Sequence, residues 1–285
     1  MSNYFACLKP VESLKEYVSD IWIQKADPLD TINIFSPTRV LPNGNIELTF
    51  VVGCPIMEVC AKESFVLPMC TLNGQKTVFK DYAATGEVKT IIFRLYPWAL
   101  TAFSKAPASD FTDKNINFNE VFKSSRVIQL QEELLVCGSI QMCVRVIENF
   151  LLENLCQNMI PRYIRDTMKL IYKYNGALPP HEIAERIETG ERNMELYFKR
   201  FVGVSVKKFS TIIRFQMALK NSGLANENYF FPYYDQAHFI HETQRFTGLS
   251  PEQLKNLESK SILDSRFNKN SELYNTVYIQ SPKIK

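Results

Sequence analysis

The first third of the chain carries its apolar residues in short runs that are typical of β-strands. Two of these runs, residues 45–52 and 89–95, are rich in valine, isoleucine, phenylalanine and threonine. Pairs such as Asn43-Gly44, Asn73-Gly74 and Thr85-Gly86 separate the runs, and these pairs favour turns. The pattern predicts β structure over residues 31–95, with short strands arranged as a barrel or a sandwich.

The apolar period changes to that of a helix after the β region. Between residues 127 and 155 a helical stripe, interrupted near Gly138, is formed by Ile128, Leu130, Leu134, Leu135, Ile140, Val144, Ile147 and Leu151. A further amphipathic helix is predicted over residues 162–174, and Pro180 begins the next one because proline is tolerated in the first helical turn. Residues 261–285 have no sustained period, so no regular structure is predicted there.

Two segments of the helical half are copies of one unit. At an offset of 45 residues, the identities are Arg200 with Arg245, Phe201 with Phe246, Gly203 with Gly248, and Ser205 with Ser250. Each glycine follows a helical pattern, and each serine is a candidate N-cap for the next helix. The repeat therefore predicts two units that each consist of a helix, a glycine turn and a helix.

The first unit has the pattern of a helix-turn-helix. A helix over residues 180–187 precedes the tight turn 188–190, and a second helix covers residues 191–201. That helix is predicted to bury Met194, Tyr197, Phe198 and Phe201 and to expose Arg192, Asn193, Glu195, Leu196 and Lys199. The exposed face could read base edges in the DNA major groove. An ordinary amphipathic helix with a solvated face is the alternative, and the repeat favours DNA recognition.

Composition and charge agree with a folded protein that binds a polyanion. Apolar residues make up 46% of the 285 residues and charged residues 22%, which excludes a disordered chain. The net charge of +3 divides unevenly, with −3 on residues 1–159 and +6 on residues 160–285. The basic half is the candidate for nucleic-acid binding. No apolar run approaches the length of a membrane span and no secretory signal is recognisable, so a cytoplasmic location is expected.

The second half of the chain contains a specific family motif. The segments Arg214-Phe-Gln-Met-Ala-Leu219, Tyr233-Tyr-Asp-Gln-Ala-His-Phe-Ile240 and Arg245-Phe-Thr-Gly-Leu-Ser-Pro251 resemble the signature of the AraC/XylS family of bacterial transcription regulators. In the first half, Val40-Leu-Pro-Asn-Gly-Asn-Ile-Glu-Leu-Thr-Phe50 and Arg94-Leu-Tyr-Pro-Trp-Ala-Leu100 are similar to the sensor domain of one branch of that family. The resemblance covers roughly residues 10–257.

The resemblance implies an α+β fold with four regions. Residues 1–125 would form a cupin-like β-barrel with a sensor or regulatory role, and residues 126–158 a helical connector. Residues 159–258 would form an all-α double helix-turn-helix domain, followed by a polar tail over residues 259–285. The implied function is sequence-specific transcription regulation, as an activator in the cytoplasm and associated with the nucleoid. The candidate partners are double-stranded promoter DNA, RNA polymerase, a small-molecule effector and a second copy of the chain.

The resemblance also extends the candidate DNA contacts to the linker helix and the second unit. In the linker region the candidates for phosphate contacts are Lys207, Lys208, Arg214 and Lys220. In the second unit the candidate base-reading face is Gln236, Ala237, His238, Ile240, His241 and Gln244, followed by Arg245. Three departures stand out: Leu196 and His241 occupy positions where the family commonly has arginine, Thr243 replaces a core phenylalanine, and the segment between Leu219 and Tyr233 is about four residues short. We therefore expect the first unit to dominate recognition.

Other chemistry finds little support in the sequence. Residues 1–180 contain no histidine, so a metal-dependent cupin reaction is not expected, and no cofactor is predicted. His238 and His241 are spaced as in some metal sites, but no acidic or cysteine partner completes a tetrahedral set of ligands. Five aromatic residues could line a ligand pocket or simply form the core: Trp22, Phe50, Phe65, Phe93 and Tyr96. Two alternatives remain open: a protein-interaction module with degenerate DNA binding, and a cysteine-based DNA-repair enzyme.

Overall fold

The computed structural model describes residues 4–26, 37–156, 160–222, 236–258, 262–263 and 278–280. These residues form an N-terminal domain of antiparallel β-sheets and a C-terminal domain of helices. The predicted fold class is therefore confirmed. The shortened segment between Leu219 and Tyr233, where the first helix of the second unit is expected, lies mostly outside the described residues.

Two six-stranded antiparallel sheets make up the β structure. The first has the strand order β1-β2-β9-β4-β7-β10 and the second the order β11-β12-β3-β8-β5-β6. The strands are β1 (Tyr4–Leu8), β2 (Val18–Ala26), β3 (Thr38–Val40), β4 (Ile46–Gly53), β5 (Ile56–Val59), β6 (Ser64–Val66), β7 (Cys70–Asn73), β8 (Lys80–Ala84), β9 (Val88–Leu95), β10 (Asn115–Asn117), β11 (Ile262–Leu263) and β12 (Tyr278–Gln280).

Alternation along the first sheet gives it two different faces, because successive side chains of a strand point to opposite sides. On β4, Ile46, Leu48 and Phe50 are buried in the main hydrophobic core. The intervening residues Glu47 and Thr49 line a cavity together with residues of the second sheet. The first sheet thus separates an apolar core from a cavity with polar groups in its wall.

The helices predicted as a connector belong to the core of the N-terminal domain. Helix α1 (Ser124–Val136) and helix α2 (Ile140–Glu153) are separated near Gly138, as the sequence predicts. Their side chains Val127, Leu134 and Leu151 lie in the same cluster as the first sheet. These helices cover the apolar face of that sheet, and they do more than join two domains.

The C-terminal domain consists of six helices in the described ranges. They are α3 (Arg162–Lys173), α4 (Pro180–Arg186), α5 (Glu191–Val202), α6 (Val206–Ser222), α7 (Gln236–Thr247) and α8 (Pro251–Glu258). Helix α8 begins with a capping box, in which the Gln253 backbone N–H donates to Ser250 Oγ and the Ser250 N–H donates to Gln253 Oε1. Local sequence signals therefore determine where this helix starts.

No regular structure is predicted for the C-terminal tail, but its described residues, 262–263 and 278–280, form two short strands. Within it, β12 pairs with β3 of the N-terminal domain, and Tyr278 lies opposite Val40. Strand β11 continues the same sheet by pairing with β12. Strands of two or three residues are too short to produce a detectable period in the sequence. These two form where the edge of β3 is open for pairing.

Candidate DNA-binding surface

The first helix-turn-helix consists of α4, a turn and α5. Ile183 and Ala184 of α4 are buried where α5 crosses it. In the turn, Glu188 adopts a left-handed backbone conformation with φ of 54°. The Thr189 N–H donates a hydrogen bond of 3.0 Å to the carbonyl of Ala184. The turn is thereby tied to the end of α4, which fixes the direction in which α5 leaves.

Helix α5 has one buried face and one exposed face. Met194, Phe198, Phe201 and Val202 lie in the core of the C-terminal domain. The exposed side chains include four of the predicted contacts: Arg192, Asn193, Leu196 and Lys199. The structure therefore brings these four together on a single solvent-facing helix surface.

Two residues of α5 differ from their predicted places. Glu195 is half-buried, and its Oε2 accepts a hydrogen bond of 3.1 Å from the Val206 N–H. That carboxylate therefore binds the first N–H of α6, whose N-cap is Ser205, with its Oγ accepting the Lys208 N–H at 3.1 Å. Tyr197 was predicted to be buried but is 40% exposed, and its ring contacts Tyr163 edge-to-face at 5.6 Å. Burial, followed by the neighbouring Tyr197, raises the pKa of Tyr163.

The candidate phosphate contacts on α6 have different environments. Lys207 is exposed and Lys208 is half-buried. Arg214 donates through Nη2 to the carbonyl of Gly176 at 2.7 Å, so it ties α6 to the turn after α3. The side chain of Lys220 lies outside the part of the chain that the structure describes. Of this set, Lys207 has the geometry that is most suitable for a phosphate contact.

The exposed face of α7 carries the remaining predicted contacts. They are Gln236, His238, His241, Gln244 and Arg245, together with Ala237. His238 Nε2 lies 3.2 Å from Glu242 Oε1, one helical turn further along. Thr243 is fully buried, and its hydroxyl has no hydrogen-bond partner among the described residues. Threonine therefore fills a core position that would suit an apolar side chain.

The turns that follow α5 and α7 are equivalent in structure as well as in sequence. Gly203 and Gly248 have φ values of 97° and 70°, a conformation that favours glycine. The Gly203 N–H donates to the carbonyl of Lys199 at 3.0 Å, and the Gly248 N–H donates to that of Gln244 at 2.8 Å. Both units therefore end their second helix in the same way.

A cavity of about 150 Å³ lies between the two sheets of the N-terminal domain. Its wall includes the hydroxyls of Thr49, Thr71 and Thr90 and the buried ion pair of Lys76 with Glu47, whose atoms are 2.8 Å apart. Burial alone would raise the pKa of Glu47, but the charge and hydrogen bond of Lys76 outweigh it, so this pKa lies below its usual value. The cavity thus contains a fixed pair of opposite charges.

The aromatic residues considered for a pocket do not form this cavity. Trp22, Phe50 and Phe93 are buried, whereas Phe65 is 51% exposed on β6. None of these, nor Tyr96, is among the described residues of the cavity wall. The threonines of β4, β7 and β9 and the carboxylate of Glu47 on β4 are the signal that could have identified the wall, because polar groups of this kind are rare between packed sheets.

Two of the cysteines, Cys70 and Cys143, are buried in the way that is typical of structural thiols. All seven lie in the described ranges and none forms a disulfide. Burial raises the pKa of Cys70 to about 12 and that of Cys143 to about 11, which disfavours the thiolate that nucleophilic chemistry needs. Within the described residues, no group of three or more histidine, cysteine or acidic side chains is arranged to hold a metal ion. Likewise, no described helix is long and apolar enough to cross a membrane.

The chain is similar to one protein-family model over part of its length and to several solved structures over most of it. Residues 7–117 match a family model described as a domain of unknown function, DUF6597. No curated protein matches the chain. Among solved structures, ToxT from Vibrio cholerae is similar at 6% identity, with 83% of this chain and 97% of that chain covered and a TM-score of 0.47.

Two further solved structures are similar to the chain. The unsaturated fatty acid-bound ToxT of Vibrio cholerae strain SCE256 is 7% identical, covering 90% of this chain and 96% of that one with a TM-score of 0.44. The AraC-like transcriptional activator CuxR is 12% identical, covering 76% and 87% with a TM-score of 0.29.

Proposed function

We propose that the protein is a sequence-specific transcription regulator of the AraC type, which binds DNA through its C-terminal domain. The observation that carries this proposal is the exposed surface of Arg192, Asn193, Leu196 and Lys199 on the second helix of a helix-turn-helix. Arginine and asparagine can each make two hydrogen bonds to one base in the major groove. Helix α7, which ends in the equivalent glycine turn, is a second helix of the same kind.

The first test is the selection of binding sites from a random duplex library with the full chain. We expect a recovered consensus sequence and a footprint on it. The double variant Arg192→Ala with Lys199→Ala should lose that footprint. A matched control is Arg145→Ala with Lys62→Ala, which removes one exposed arginine and one exposed lysine from the N-terminal domain. A library that yields no enriched sequence would contradict the proposal.

The N-terminal domain would act as the regulatory domain by taking a small-molecule effector into the cavity between its sheets. Three threonine hydroxyls and a charged pair there can orient a polar ligand, while apolar residues of both sheets surround the rest. A metabolite panel should contain a compound that stabilises the full chain, by about 2.7 kcal/mol at 100 times its dissociation constant. The variant Thr71→Val with Thr90→Val should lose that stabilisation, whereas Thr85→Ala in an exposed turn should keep it.

A second candidate function, protein interaction through the N-terminal domain, is favoured by an apolar surface at the end of α1. Leu135 is 67% exposed and Val136 is 82% exposed. A second copy of the chain or RNA polymerase would be the partner. Sedimentation of the full chain should reveal a dimer that Leu135→Lys with Val136→Lys converts to a monomer. An unchanged monomer in both proteins would remove the support for self-association.

A further inference from the structure

The N-terminal domain contacts the glycine turn that follows α5. Thr112, just after the short 3-10 helix Ala108–Phe111, donates its hydroxyl to the carbonyl of Gly203 at 2.7 Å. A Cβ atom on Gly203 would lie 2.9 Å from Thr112 Oγ1 and 3.0 Å from the carbonyl oxygen of Ala108. The approach is therefore so close that glycine is required for packing as well as for its backbone angle.

The N-terminal domain contacts the equivalent turn after α7 in a second place. Arg39 on β3 donates through Nη1 to the carbonyl of Thr247, the last residue of α7, at 2.7 Å. A Cβ atom on Gly248 would lie 2.8 Å from that nitrogen and 2.8 Å from the ring of Phe79. A cation at this end of a helix is favoured by the helix dipole.

The arginine that makes the second contact is itself held rigidly. It donates to Asp81 through Nε at 2.8 Å and through Nη2 at 2.7 Å. Its guanidinium also lies 3.7 Å from the centre of the Phe79 ring. Both members of the ion pair are buried. A side chain fixed on three sides transmits the position of β3 to the end of α7.

A third contact holds the helix between the two units. Gln216 of α6 donates to the carbonyl of Pro42 at 2.5 Å, and both groups are buried. The loop between β3 and β4 also packs closely here, because a Cβ atom on Gly44 would lie 3.1 Å from Phe209 of α6. One continuous surface of the N-terminal domain therefore touches α6 and the ends of both candidate recognition helices.

We propose that this surface sets the spacing and orientation of the two DNA half-sites. The close approaches are at Gly203 and Gly248, the same position of each repeat, and the two hydrogen bonds reach carbonyls within one residue of that position. These contacts leave the faces of α5 and α7 exposed. Two recognition helices enter neighbouring major grooves only if their separation matches about 10 base pairs. The N-terminal domain is the part of the molecule that contacts both units at once through Thr112 and Arg39. This inference rests on the proposed function.

The spacing requirement is steep because of the geometry of DNA. One added base pair moves the second half-site by about 3.4 Å along the helix axis. It also rotates that half-site by about 36°, given roughly 10 base pairs per turn. A rigid pair of recognition helices cannot follow this change, whereas a pair joined only by α6 could adjust. If the N-terminal domain positions the two helices, loss of its contacts should weaken the preference for one spacer length. If its role is purely structural, loss of the contacts should leave that preference unchanged.

The test uses the full chain and duplexes with the footprinted sequence, with the spacer between half-sites shortened or lengthened by one base pair. The variants are Thr112→Val, which removes one hydroxyl, and Arg39→Met with Asp81→Leu, which replaces both members of the ion pair. Thr112→Ser keeps the hydroxyl and should restore wild-type behaviour. Arg94→Met with Asp20→Leu is the matched control, since it removes another buried ion pair of the same domain.

We expect the wild-type protein to bind the duplex with the original spacer at least about fivefold more tightly than either duplex with an altered spacer. This is the smallest loss of affinity that one mismatched base pair usually causes. In the Thr112 and Arg39 variants this preference should fall to about twofold or less, while base selectivity within the first half-site stays unchanged. Variants that keep the full spacing preference would overturn this inference alone. Failure of the wild-type protein to bind any duplex would overturn the proposed function and this inference together.

Discussion

At the scale of single residues, Glu195 illustrates how a side chain on a recognition helix can serve the fold. It was predicted to read DNA because it shares a helical face with Arg192 and Lys199. Its carboxylate instead accepts the Val206 N–H, which would otherwise lack a partner at the start of α6. Periodicity predicts which face a residue lies on, but it cannot show that a later helix begins within reach.

The first prediction follows from this hydrogen bond. Glu195→Ala should lower the free energy of unfolding by about 1 kcal/mol, the usual net contribution of one hydrogen bond, because Ser205 still caps α6 by accepting the Lys208 N–H. Base selectivity should stay unchanged, since the carboxylate faces α6. Urea unfolding and titration of single-base variants of the site measure the two effects. Glu185→Ala, at an exposed position of α4, is the control. A loss of selectivity without a loss of stability would mean that Glu195 contacts DNA after all.

The buried ion pair of the cavity gives a pH-dependent prediction. Because the pKa of Glu47 is lowered in the folded protein, its ionisation stabilises the fold above the ordinary value of 4.5 and loses that effect as pH falls through the folded pKa. Glu47→Gln should therefore be less stable than the wild-type protein at neutral pH. The difference should shrink in acid, as measured by urea unfolding across a pH series. A difference that is constant with pH would contradict the assignment.

At the scale of elements, the two recognition helices have unequal support. Helix α5 packs on α3 and α4 around Met194 and Phe198. Helix α7 buries Phe246 in a cluster that includes Leu41 and Phe79 of the N-terminal domain. Its core position Thr243 keeps a buried hydroxyl without a described partner. A helix must be held rigidly to discriminate base edges, so we expect α5 to contribute more selectivity.

The prediction from this inequality compares two variants. Asn193→Ala on α5 should relax base selectivity at its half-site more than Gln236→Ala on α7 does at the other. Both residues have an exposed side-chain amide that can form two hydrogen bonds with adenine. Equilibrium titration against single base-pair substitutions across the whole site measures both effects. Equal relaxation at the two half-sites would show that α7 is held as firmly as α5.

Helix α6 gives a prediction about phosphate contacts. Lys207→Ala should weaken binding to specific and random duplexes alike, because a phosphate contact carries no base information. It should also flatten the plot of log affinity against log salt by about one unit. Arg214→Ala should change this slope less than Lys207→Ala does and should lower the free energy of unfolding more, because Arg214 donates a hydrogen bond to the carbonyl of Gly176. A sequence-selective loss in the Lys207 variant would contradict the assignment.

Element boundaries were predictable where local signals define them. The capping box at Ser250, the break near Gly138 and the start of α4 at Pro180 agree with the structure. Long-range pairings were not predictable, because no local signal encodes them. Strand β12 depends on pairing with the edge of β3, and the ring contact of Tyr197 depends on Tyr163 of a different helix.

At the scale of the whole molecule, charge and packing agree on one arrangement. Residues 1–159 carry a net charge of −3 and residues 160–285 one of +6. The acidic half is repelled by the DNA backbone, so the field of the protein favours an approach with the helical domain in front. The contacts of Arg39, Thr112 and Gln216 join the two halves behind the faces of α5 and α7. Regulation by the N-terminal domain would act through these contacts.

The most direct test of the central claim is equilibrium titration of the wild-type protein and Arg192→Ala with the selected duplex and a scrambled duplex at fixed salt. The account predicts that Arg192→Ala lowers discrimination between the two by about 1 to 3 kcal/mol, as expected for the loss of a bidentate base contact. Affinity for the scrambled duplex should change little by comparison. Unchanged discrimination in Arg192→Ala, together with an unchanged footprint when Lys199→Ala is added, would contradict DNA recognition by α5.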